Sequence, residues 1–243
     1  MKCFAFLLSC SVALCLHAQE TATLKLAKTI PLPGVKGRFD HFAIDVKAHR
    51  LFIAALGNNT LEVVDIVSGK HLKSITGLHK PTGVIYLAEQ NQIAVANGDD
   101  GTLKVFDGTS YERLKNVRYL EDADNVRLDP ETKVLYVGHE NGVIASIESV
   151  TMELAGATRL AAHPESFQLE QQGTRTFVNV PDAKQVAVID REKQKVIATW
   201  PMEKFQANFP MALDEANHRL FVGCRKPARL VVLDTTTGKP VGA

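Results

Sequence analysis

Leu51-Phe52-Ile53-Ala54, Thr60-Leu61-Glu62-Val63-Val64-Asp65 and Ser68-Gly69-Lys70 all fall in the stretch 51–70. The first run is apolar and short. The second alternates, as a half-buried strand does. Gly57-Asn58-Asn59 separates them, and Ser68-Gly69 closes the second in a turn. Working outward, a short apolar run, Phe42–Val46, precedes this core, and a more polar run, His71–Thr76, follows it. Together they predict a unit of four short strands.

The unit repeats. Its aromatic or equivalent position falls at Phe52, Ala94, Tyr136, Phe177 and Phe221, at intervals of 42, 42, 41 and 44. The acid closing the third run falls at Asp65, Asp107, Glu148, Asp190 and Asp234. The apolar residue opening each unit falls at Phe42, Val84, Val126, Phe167 and Met211, again at 42, 42, 41 and 44. Helical spacing is nowhere sustained. A four-stranded unit of this length, repeated in one phase, predicts an all-β fold of β-propeller blades, five of them in this chain. A β-sandwich would not keep one four-strand phase through five units.

Three segments then carry a family likeness: the 51–70 stretch, Gln185-Val186-Ala187-Val188-Ile189-Asp190, and Leu230 to Lys239, which ends Thr236-Thr237-Gly238-Lys239. They resemble the YVTN-type repeat, and the chain from about Thr23 onward resembles the YncE-like propeller proteins of bacterial envelopes. The third unit departs from the pattern, because Ala145-Ser146-Ile147-Glu148 lacks the Asp and no Thr-Gly-Lys follows. The resemblance implies seven blades, and so a chain truncated by about two. The competing expectation is a closed five-bladed ring, with Thr23–Leu32 as a lone outer strand pairing with the last blade.

The chain's 243 residues are 45% apolar and 23% charged, which excludes a disordered chain or a disulfide-dense miniprotein. Met1-Lys2 followed by the apolar run Cys3–Leu16 reads as a secretory signal peptide over 1–18, leaving a propeller domain over 19–243 in the periplasm or outside the cell. Leu7-Leu8-Ser9-Cys10 offers a lipid anchor as the minority reading, and no later run is long enough to span a membrane. Without residues 1–18 the chain keeps 27 basic and 27 acidic residues and only Cys224, so it cannot form an internal disulfide. Neutrality and few aromatics argue against a nucleic-acid or surface-polymer partner.

Phosphate-cradling, zinc-protease, haem-attachment and nucleophile-elbow motifs are absent. The single Trp, Trp200, sits in a fourth strand, which does not suit a quinone-cofactor propeller. The third-strand acids should cap the turns that follow them. Chemistry points instead to the segments entering each innermost strand: Arg38–His41, Lys80–Gly83, Asp122–Asn125, His163–Ser166 and Gln206–Pro210. Repetition should gather them at one channel mouth, where Asp40, His41, Asp124, Asn125, Glu165 and Asn208 are the expected ligand-binding residues. Asp99, Asp100, His139, Glu140, Arg225 and Lys226, in second-to-third-strand loops, share that face.

The expected role is a binding module for a protein, peptide or small ligand, without catalysis. The same ring would allow a divalent cation such as calcium on Asp40, Asp124 and Glu165, and with it a metal-dependent hydrolase or lactonase. Single Asp and Asn residues in such segments also commonly bind their own turns.

Overall fold

The computed structural model describes residues 24–140 and 142–242. The expected signal peptide, with Cys3, Cys10 and Cys15, lies outside the described residues. Five four-stranded antiparallel sheets make up the fold, each a simple meander. The first holds β1 (Phe42–Asp45), β2 (Arg50–Ala55), β3 (Thr60–Asp65) and β4 (Lys70–Ile75). The second holds β5 (Pro81–Leu87), β6 (Gln92–Asn97), β7 (Thr102–Asp107) and β8 (Arg113–Val117). The third holds β9 (Val126–Asp129), β10 (Val134–His139), β11 (Val143–Glu148) and β12 (Leu154–Arg159). The fourth holds β13 (Phe167–Leu169), β14 (Arg175–Val180), β15 (Gln185–Asp190) and β16 (Lys195–Pro201). The fifth holds β17 (Gln206–Asp214), β18 (Arg219–Lys226), β19 (Ala228–Asp234) and β20 (Pro240–Gly242).

One register runs through all five blades. The first residue of each second strand faces the acid that ends the third: Arg50 with Asp65, Gln92 with Asp107, Val134 with Glu148, Arg175 with Asp190 and Arg219 with Asp234. A register shift between third and fourth strands recurs just before that acid, at Val63/Val64, Val105/Phe106, Ser146/Ile147, Val188/Ile189 and Val232/Leu233. Such bulges strengthen the local twist. The acids then cap their turns as expected. Asp65 Oδ1 accepts from Val67 N and Ser68 N, Asp107 Oδ1 from Thr109 N and Ser110 N, Asp190 Oδ1 from Lys193 N, and Asp234 Oδ1 from Thr236 N and Thr237 N.

Apolar faces meet between successive sheets. Phe52, Leu61 and Val63 pack with Ile93, Val95 and Phe106, and Leu103 and Val105 with Leu135, Val137 and Ile147. Tyr136 and Ile144 pack with Val178, Val180 and Ile189, and Phe177, Val188 and Trp200 with Leu220, Val222 and Leu233. Each fully buried side chain of this size stabilises the fold by about 1.5–3 kcal/mol. In the fifth sheet only one face is covered: Val231 and Leu233 are buried, whereas Leu230 is 58% exposed. Among the described residues, no strand packing like that between neighbouring sheets joins the fifth to the first.

On the opposite face of the first sheet from Leu61 and Val63, Glu62 is fully buried. It accepts hydrogen bonds from Ser74 Oγ (2.6 Å) and Thr60 Oγ1 and contacts His71 Nε2 at 2.6 Å.

The expected amino-terminal strand is not formed. Residues 24–32, the described part of Thr23–Leu32, pair with no sheet, and the outer strand of the fifth sheet is β20. The segment lies along the first blade instead, where Lys28 Nζ donates to Val67 O (2.7 Å) and Lys36 N to Asn58 Oδ1 (3.2 Å). Leu24 and Leu26 stay exposed and have no apolar face to join.

Candidate functional site at the channel mouth

The three acids two residues before each opening apolar residue share one backbone frame. Asp40 N–H donates to Ala54 O (2.9 Å), and Ala54 N–H returns to His41 O (3.0 Å). Asp124 repeats this with Gly138 (2.8 Å) and Asn125 (3.0 Å), and Glu165 with Asn179 (2.9 Å) and Ser166 (3.0 Å). Each acid is thus pinned to its blade's second strand by paired hydrogen bonds, and its side chain is free for other use. Asp40, Asp124 and Glu165 all line one cavity of about 720 Å³. Residues of every blade border it, among them His41, Thr82, Asn125 and Phe209.

Close packing between blades fixes the central acid. Thr82 Oγ1 donates to Ala123 O (2.7 Å) and lies 3.3 Å from Ala96 O. Gly83 lies so near that an added Cβ would sit 2.0 Å from Asp124 O. Only glycine fits there, and the second blade therefore supports Asp124 directly.

An outer tier lies two residues further back, at Arg38, Lys80, Asp122 and His163. Lys80 and Asp122 adopt left-handed backbone, with φ of 52° and 49°. That conformation is uncommon outside glycine and marks a segment held by its surroundings. Lys80 Nζ meets Asp122 Oδ1 at 3.1 Å, and Arg38 Nη2 lies 3.5 Å from Asp40 Oδ2. His163 Nδ1 lies 2.6 Å from Glu140 O. A carbonyl only accepts, so Nδ1 carries a proton.

The electrostatics are unbalanced locally. Burial pushes the Asp124 carboxyl above the usual range, with Asp40 adding to the shift against the opposing pull of His41. Burial also raises Glu165, with the Asp124 charge next. For His41 burial acts downward, but the Asp40 carboxylate 3.0 Å away and the Asp124 charge outweigh it, and the imidazole is raised. Asp124 Oδ1 is 3.9 Å from His41 Nδ1, beyond hydrogen-bond length. Asn125, 1% exposed, has no hydrogen-bond partner for its Oδ1 among the described residues, and neither has buried His41 Nδ1.

Five of the six expected residues meet at the mouth: Asp40, His41, Asp124, Asn125 and Glu165. Asn208 does not. It is fully buried between the fourth and fifth blades, its Nδ2 donating to Asn179 Oδ1 (2.9 Å) and Gln185 O (3.0 Å). The reason is register. Asn208 lies three residues before Met211, and the position equivalent to Asp40 is Phe209, which lines the cavity beneath Arg225 at 4.0 Å from the ring centroid.

Composition by loop hid other lining residues. Arg127 follows its blade's opening residue, where the other blades carry Ala43, Ile85, Gln168 and Ala212. A charge at that otherwise uncharged offset was the available signal. Lys226 does not line the cavity. His139 and Glu140 do not line it either and group with Glu121 instead.

No family model matches the chain, and no curated protein matches it in sequence. Among solved structures it is similar to the hydrazine synthase of Kuenenia stuttgartiensis, with a TM-score of 0.67 and 13% identity over 86% of this chain and 69% of that one. At that identity the likeness speaks to the fold alone. Over the described residues the chain is an all-β protein of five four-stranded propeller-type blades.

Proposed function

We propose that this chain is an exported binding module that holds a small polar ligand, or the end of a peptide, in the channel mouth. The observation that carries this is the cavity itself. Its volume lies within the roughly 300–1,000 Å³ of ligand sites. Four acids (Asp40, Asp122, Asp124, Glu165) and four bases (Arg38, Lys80, Arg127, Arg225) line it, and Asp124 and Glu165 are left underneutralised. A ligand bearing both a cationic and an anionic group complements such a wall, with its cation toward Asp124 and Glu165 and its anion toward Arg127 and Arg225. The Arg225–Phe209 stack gives the anion-binding side a rigid edge.

Thermal-shift measurements against amino acids, short peptides and sugar acids test the reading. A ligand at 100 times its Kd stabilises by about 2.7 kcal/mol. The expected result is a shift in the wild type that is lost in Arg225→Ala and Arg127→Ala. A shift that survives both changes, or none across the panel, would refute it. Export is tested by amino-terminal sequencing of the mature protein, expected to begin at Gln19.

A further inference from the structure

The acids of the mouth fall into two groups that share one member. Ligand atoms of Asp40, His41 and Asp124 lie within 4.8 Å of one another, and so do those of Asp124, His163 and Glu165. We propose that the mouth binds a pair of divalent transition-metal ions of the zinc class, bridged by Asp124, with Asp40 and His41 completing one half and His163 and Glu165 the other. This rests on the reading of the mouth as a ligand site and names an occupant for its acidic half.

Four observations carry it. First, each half supplies one imidazole and one carboxylate beside the shared Asp124. Nitrogen donors suit zinc-class ions, whereas calcium sites use oxygen throughout. A mixed nitrogen and oxygen set thus favours a zinc-class ion over the calcium expected on three carboxylates. Second, the His163 ring is oriented as a metal ligand's is. Its Nδ1–H is committed to Glu140 O at 2.6 Å, the pattern in which a ligating imidazole gives its other ring N–H to a backbone carbonyl.

Third, His41 Nδ1 and Asp40 Oδ1 are 3.0 Å apart, and Nδ1 makes no hydrogen bond among the described residues. Two ligands at about 2.1 Å from one ion lie about 3.0–3.4 Å from each other. Arg38 approaches the other oxygen, Asp40 Oδ2, and leaves Oδ1 available. Fourth, Asn125 lines the cavity at 1% exposure with no partner for its Oδ1. A buried acceptor in this position calls for a partner that the described residues do not supply.

Zinc titration of the full, untagged chain after chelator treatment and desalting tests the proposal, read by calorimetry and by elemental analysis after dialysis. The expected stoichiometry is two equivalents in the wild type, one in His163→Gln, one in His41→Gln and none in Asp124→Asn. Millimolar calcium should displace neither ion. Circular dichroism shows which variants are folded. Glu165→Gln serves as a second variant with one equivalent expected, and His49→Gln, in an exposed turn, should keep two. One equivalent or none in the wild type overturns the proposal. So does zinc retained by Asp124→Asn, as a site on Glu121, His139 and Glu140 would give. Ligand shifts that persist in chelator-treated protein, without zinc uptake, would defeat this inference and leave the binding reading standing.

Discussion

Two sets of acids recur through the blades of this protein, and they sit in opposite circumstances. Asp65, Asp107, Asp190 and Asp234 end third strands and hold turn N–H groups. Backbone hydrogen bonds, from Ser68, Ser110 and Thr237 in three cases, and the Lys193 ammonium for Asp190, hold their carboxyls below the usual range. Asp124 and Glu165, at the mouth, are raised by burial and by neighbouring acids. The repeat places both sets with equal regularity, so recurrence alone does not mark function. What separates them is whether the carboxylate has donors from its own fold.

The largest expected effect concerns an acid that is buried and satisfied. Glu62→Ala strands Ser74, Thr60 and His71 together and should cost roughly 3 kcal/mol in urea denaturation. A loss below about 1 kcal/mol would show that donors matter less than the comparison requires.

Next is Gly83→Ala, whose new Cβ must displace the Asp124 backbone. Overpacking of this kind costs about 1–3 kcal/mol, and the mouth should lose its ligand with it. Thr82→Val removes the buried hydroxyl that donates to Ala123 O beneath the same loop and should cost about 1 kcal/mol while leaving the turn acids untouched.

The smallest effects carry the sign of the comparison. A carboxyl raised in the folded state holds its proton more tightly there than in the unfolded chain. Its contribution to stability is present below the unfolded value of about 4 and is lost as pH rises through the folded value. In metal-free protein Asp124→Asn should therefore raise the melting temperature at pH 7. A depressed carboxyl contributes above the unfolded value, and that contribution disappears as pH falls through the folded one. Asp107→Asn should therefore lower the melting temperature at pH 7, and the deficit should close in acid.

Much of this arrangement was legible in the sequence. One phase from Phe42 to Met211 gave the blades, and the offset of two residues from each opening apolar residue put Asp40, Asp124 and Glu165 on one ring. Asn208 escaped because it was assigned by membership of a loop and not by offset, and a one-residue difference turns a side chain from the cavity to the blade interface. The tautomer of His163 was invisible, since it depends on Glu140 O, a backbone atom of the neighbouring loop. Glu148 shows the converse. It keeps the position of a turn acid and the backbone bond that the turns after Asp65, Asp107 and Asp234 also make, here from Met152 N to Glu148 O (2.8 Å), but among the described residues its exposed carboxylate accepts no turn N–H.

The most direct test of the central claim is a carboxyl carbon NMR titration that follows Asp124 and Asp107 in the same sample of metal-free protein. The account predicts that Asp124 titrates above the ordinary aspartate value of about 3.9 and Asp107 below it. Asp124 titrating at or below Asp107 would contradict it.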